Sequence, residues 1–151
     1  KFRAANRWHT GGHNETVIRG FYGQCREIER DEPFNLHADE PPVLLGEDMG
    51  ANPVEYVLTA LASCMTTSMV YHAAGQGINI ESLSSSIEGD IDLNGFLDLN
   101  PNVRKGYREI RLRFKVKSDA DAAKLEELAK KSPVFDIVTN PTAVKVEIVK
   151  E

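Results

Sequence analysis

Few side chains in this sequence can carry chemistry: two cysteines, Cys25 and Cys64, four histidines, His9, His13, His37 and His72, and Glu55 at the head of an apolar run. Neither cysteine sits in a CxxC pair, so dithiol exchange and cysteine-type zinc binding drop out, and any cysteine chemistry uses single thiols. A thiol becomes nucleophilic when its pKa is lowered inside a protected pocket. Cys64, embedded in small and apolar residues, is the candidate for that role. The competing reading is a cysteine packed as a small hydrophobe. Glu55 is a candidate carboxylate, although an acid in a first helical turn is equally explained by the helix dipole. His13, next to the Gly11-Gly12 turn, is a candidate pH-responsive group, against the plainer reading of a solvated turn histidine. His72 reads as a polar tip at a helix end. The four histidines are too scattered for a metal motif and no HExxH or Cys-His spacing occurs, so no metal is expected. Gly11-Gly12 and Gly75-Gln76-Gly77 lack the strand-to-helix context of a nucleotide-binding glycine loop.

The elements that must position these residues follow from pattern. Asn52-Pro53-Val54-Glu55 combines a helix cap, a first-turn proline and an acid suited to the macrodipole. The run 54–74 then lacks Gly and Pro until Gly75 and Gly77, predicting a helix of about 30 Å. Val57, Leu58, Leu61, Cys64, Met65, Ser68 and Met69 form an apolar or small face on it, widened by Ala60 and Ala62, so the helix is expected to be buried on several sides. Residues 21–36 read as strand and hairpin material, with Cys25 in a strand-like setting, and residues 39–50 as a Pro- and Gly-containing loop. Alternation predicts strands over 78–93 and 107–116, joined by a connection that is either a wide hairpin or a bulge. Residues 119–131 predict an amphipathic helix ended by Ser132-Pro133, and Val144, Val146 and Ile148 predict a final strand over 144–149.

Composition sets the frame. The chain has 151 residues, enough for one α+β domain spanning 1–151 with its own core. A formal net charge of −5 disfavours binding along a phosphate backbone, so no nucleic-acid partner is expected. No apolar stretch is long enough to span a bilayer and the first ten residues lack a signal-peptide core, which predicts a soluble, cytoplasmic protein without a membrane partner. The start at Lys1 rather than methionine suggests a preceding segment or a processed terminus.

The stretch from Asp39 to Met69, DEPPVLLGEDMGANPVEYVLTALASCMTTSM, resembles the heart of the OsmC/Ohr family, in which a Gly-rich loop and Asn-Pro precede a long cysteine-bearing central helix. GINIESL at 77–83 and SPVFDIVTNP at 132–141 match further landmarks in the right order, so the resemblance covers nearly the whole chain. It implies an OsmC-like fold: an intertwined homodimer with two long central helices wrapped by antiparallel sheets and two thiol sites near the subunit interface. In the peroxidase branches a cysteine is sulfenylated by an organic hydroperoxide and resolved by a second cysteine, with help from an arginine and a glutamate. The reactive cysteine falls on Cys64. The resolving position holds Ser132, which forms no disulfide. The glutamate position holds Val54, with Glu55 one residue later, and the arginine position after the Gly-Gly turn holds His13. These departures resemble the less characterised OsmC-like branch.

The resemblance therefore implies single-cysteine, peroxiredoxin-like chemistry serving the oxidative stress response. Cys64 would reduce a small organic hydroperoxide and a small-molecule thiol would restore it, with Glu55 and His13 as assisting groups and no metal or organic cofactor. The alternative is a non-catalytic binding protein that holds a small hydrophobic ligand at the dimer interface, with Cys64 as packing.

Overall fold

The computed structural model describes residues 1–150. It is α+β and divides into two compact units, one of residues 1–57 and one from Leu58 onward.

In the first unit β1 (Ala5–Thr10) and β2 (His13–Ile18) form an antiparallel hairpin whose turn uses Gly11 at φ +54°, a conformation that favours glycine. Strand β5 (Phe34–Ala38) pairs antiparallel with the other edge of β2, giving the order β1-β2-β5. A separate ribbon pairs β3 (Phe21–Gly23) with β4 (Arg26–Ile28). The two residues of its turn, Gln24 and Cys25, have φ of 51° and 59°. Cys25 is thus an exposed turn tip rather than a strand residue, and positive φ at both central positions is the type I′ form of a two-residue hairpin turn.

Helix α1 (Pro53–Gly75) matches the predicted span. At its start the Asn52 side-chain oxygen accepts the Val54 amide hydrogen at 3.0 Å, and the Glu55 carboxylate accepts the Asn52 amide at 2.9 Å. This reciprocal cap satisfies donors that the first helical turn leaves free. At its end Gly77 adopts φ +70° and the Ile78 amide reaches back to the Ala73 carbonyl at 3.0 Å, closing the helix. The expected burial on several sides does not occur within one chain. Leu61, Met65, Met69 and Ala73, four apart, are buried as a single stripe, whereas Tyr71 remains 74% exposed.

In the second unit β6 (Ile80–Asp90) and β7 (Glu109–Ser118) pair antiparallel, with Leu83 opposite Val116 and Ile87 opposite Leu112. The apolar face of this sheet packs on the α1 stripe together with Leu125, Leu128 and Ala129 of α3 (Ala122–Ala129). The connection between the strands is the wide hairpin of the two expected forms, and it contains a short helix, α2 (Leu93–Phe96), capped by Asp92. Ser132-Pro133 does end one helix but also starts another, α4 (Pro133–Thr139): the Ser132 hydroxyl accepts the Phe135 amide and proline occupies the first turn.

The expected strand over 144–149 is not formed. Val144, Val146, Ile148 and Val149 are 78–84% exposed and pair with no other strand among the described residues. Alternation gives a segment the pattern of a strand, but a strand also needs an edge to receive its hydrogen bonds.

Candidate functional site

Cys64 lies in the middle of α1, within the second unit, and is half-buried with a free thiol. No hydrogen bond, ion pair or disulfide engages it among the described residues. Its position follows from helical spacing: it flanks the buried stripe of Leu61, Met65 and Met69, with exposed Ala60 and Tyr71 on its other side. The sulfur is therefore neither sealed in hydrocarbon nor fully open.

The Glu55 carboxylate is already engaged by the Asn52 amide in the helix cap. Val54 is half-buried beside it. Nine residues separate Glu55 from Cys64 along the helix, which is about 13.5 Å of rise and half a turn of rotation.

His13 belongs to a cluster in the first unit that spacing alone does not reveal. Its Nε2 lies 3.1 Å from His37 Nδ1, and its ring stacks on that of His9 with centroids 4.8 Å apart. His9 Nε2 in turn sits 3.4 Å from the Glu15 carboxylate, which also faces Arg7 at 3.7 Å. That nitrogen is buried and makes no hydrogen bond, so the His9–Glu15 contact has the distance of an ion pair without hydrogen-bond geometry. The three histidines come from β1, β2 and β5, and only the pairing of those strands brings them together. His72 is exposed in the last turn of α1.

Asp39 was also invisible to motif reading. It is 2% exposed, and its carboxylate accepts the backbone amides of Glu40 at 2.8 Å, Glu47 at 3.1 Å and Met49 at 3.2 Å. Burial alone would raise its pKa, but these amide donors and the nearby His13 outweigh it and hold the carboxyl below its ordinary value. It organises the loop that leads into α1.

Among the described residues no group of histidine, cysteine and acidic side chains is arranged to hold a metal ion, and no helix is long and apolar enough to cross a membrane.

The family model of OsmC-like proteins matches residues 46–147, from the loop before α1 to beyond α4. The chain belongs to the OsmC-like family. Its fold is shared with an OsmC-like protein of unknown function from Vibrio cholerae, at a TM-score of 0.66 and 17% identity over 99% of each chain. An OsmC-like protein from Mycoplasma pneumoniae gives 0.64 and 18%, covering 93% of this chain and 89% of that one. An organic hydroperoxide resistance protein OsmC from Legionella pneumophila gives 0.59 and 19%, covering 91% and 89%. Identities this low establish common architecture alone. No curated protein matches the chain in sequence. Ser132 is 1% exposed and occupied as the cap of α4.

Proposed function

We propose that this OsmC-like protein is a cytoplasmic homodimer that reduces small organic hydroperoxides through the single thiol of Cys64, as part of an oxidative stress response. The observation that carries this reading is the half-exposed, unengaged Cys64 thiol at the margin of an uncovered helix face. The thiolate attacks the distal peroxide oxygen, the O–O bond breaks, and the alkoxide leaves as an alcohol after taking a proton, so that Cys64 becomes a sulfenic acid. A small-molecule thiol then condenses with it, releasing water and leaving a mixed disulfide. A second thiol equivalent attacks that bond and restores Cys64. No cofactor enters the cycle.

The dimer is supported by α1 itself, whose apolar sequence is covered along only one stripe within a chain. Helix geometry separates Glu55 from the Cys64 of its own chain by about 13.5 Å of rise, so an assisting role for Glu55 requires the carboxylate of a second copy. In this reading His13 takes the polarising role of the family's arginine. The organic hydroperoxide resistance protein from Legionella pneumophila shares the fold and lends weight to the substrate class.

The test adds cumene hydroperoxide and a dimedone-type trap to the wild-type protein and to Cys64→Ser, followed by mass spectrometry and by a light-scattering mass in solution. Label confined to Cys64 on a dimer is the expected result. Equal labelling of the two proteins removes the enzymatic reading.

A second reading, binding of a small hydrophobic ligand without catalysis, is favoured by a cavity of about 560 Å³ in the second unit, lined by Met65, Met69, Leu112, Phe114 and Leu125. Its size and apolar lining suit a small molecule. A ligand retained through purification and seen by native mass spectrometry supports it, and an empty protein that binds no hydrophobic probe overturns it.

A further inference from the structure

The His13–His37 contact has a property that reaches beyond thiol chemistry. The N···N distance is 3.1 Å and the ring centroids are 5.3 Å apart, with planes inclined by 29°. The centroid separation exceeds the N···N distance by about two ring radii, so the contact runs nearly along the line of ring centres, as an N–H···N hydrogen bond does. A neutral imidazole offers one donor and one acceptor, whereas an imidazolium offers two donors. The bond therefore survives with both rings neutral or with one charged. With both charged, two N–H groups face each other and like charges add repulsion.

Two carboxylates nearby, Asp39 beside His13 and Glu15 opposite His37 in the β2-β5 register, favour charge on the rings, but among the described residues no hydrogen bond joins either to the His13 or His37 ring, so two protonated rings remain in direct conflict. His9 stacks on His13 from β1, adding a third titratable ring, and Arg7 on the same strand contributes a fixed positive charge. Glu15 on β2 is shared between His9 and Arg7. Asp39, held ionised by three backbone amides, favours a charge on His13 and so supports the first proton of the pair rather than the second. On α1 the Tyr56 hydroxyl donates to the His37 carbonyl at 2.7 Å and leaves the ring untouched.

His37 is also a mechanical junction. A side-chain carbon placed on Gly50 would lie 2.1 Å from the His37 carbonyl oxygen, so the end of the 40–52 loop rests directly on this backbone. Asp39, two residues on, anchors the start and middle of the same loop. We propose that His13 and His37 form a proton-gated clamp, which stays closed with at most one charged ring and releases the end of β5 and loop 40–52 when the second ring is protonated. The open form binds more protons than the closed form, so closure is lost as pH falls.

Hydrogen exchange of the full-length protein tests this between about pH 7.5 and pH 5.5, the range in which histidines change charge. After correction for intrinsic rates, protection of the amides of Glu40, Glu47 and Met49 is expected to fall about tenfold or more in the wild type and less than about twofold in His37→Gln, whose side chain does not titrate. Constant wild-type protection, or the same loss in His37→Gln, overturns the clamp. Imidazole NMR of the unaltered protein provides a second arm: His13 and His37 are expected to take up their two protons in separate steps, and a single shared midpoint overturns it. Neither measurement depends on Cys64, so the outcome is independent of the peroxidase reading.

Discussion

The Ser132 hydroxyl accepts the Phe135 amide hydrogen at 3.1 Å, so this side chain is used to start helix α4. Ser132 is also almost fully buried, and a buried cap has two tasks: it satisfies a free amide and leaves no orphaned polar atom of its own. Ser132→Ala should therefore lower stability by about 0.5–2 kcal/mol in urea denaturation. The same variant should leave sulfenic-acid labelling of Cys64 unchanged.

Asp39 predicts a pH dependence. Its carboxyl is held below the ordinary value, so its contribution to stability is present above the unfolded carboxyl pKa, about 3.9, and is lost as pH falls through the lower folded value. Asp39→Asn should lower the urea midpoint at neutral pH and flatten its decline below about pH 4. A variant whose acid limb stays as steep as that of the wild type would assign the decline to other carboxylates.

The Gln24-Cys25 turn holds two side chains in left-handed backbone. The double substitution Gln24→Asn, Cys25→Gly supplies the residues that such a turn favours and should raise stability by up to about 1 kcal/mol. It removes the exposed thiol as well, so peroxide-dependent labelling that survives it must arise at Cys64.

Leu128 has no exposed surface and joins α3 to the α1 stripe and the β6-β7 sheet. Leu128→Ala should cost about 2–5 kcal/mol by lost burial and an unfilled cavity, read from thermal or urea unfolding.

The local signals in the chain were reliable where a few consecutive residues contain the whole cause. Asn52-Pro53 and Glu55 cap α1, Gly77 closes it, and the alternation of Leu83 and Ile87 with Leu112 and Val116 marks two strands, all within one or two turns of sequence. Ser132-Pro133 was legible only by half, because a proline that stops one helix is equally suited to the first turn of the next. The short helix α2, with Asp92 as its cap, was missed inside a loop signal.

By itself the sequence determined the α+β class, the long helix and the presence of Cys64 within it, since periodicity, caps and residue types are local properties. Only the tertiary structure decided that His9, His13 and His37 meet, that Asp39 is buried among amides, and that residues 144–149 find no partner strand among the described residues. The reason is that strand register and side-chain contact join residues far apart in the chain, and one-dimensional spacing does not specify which edges pair.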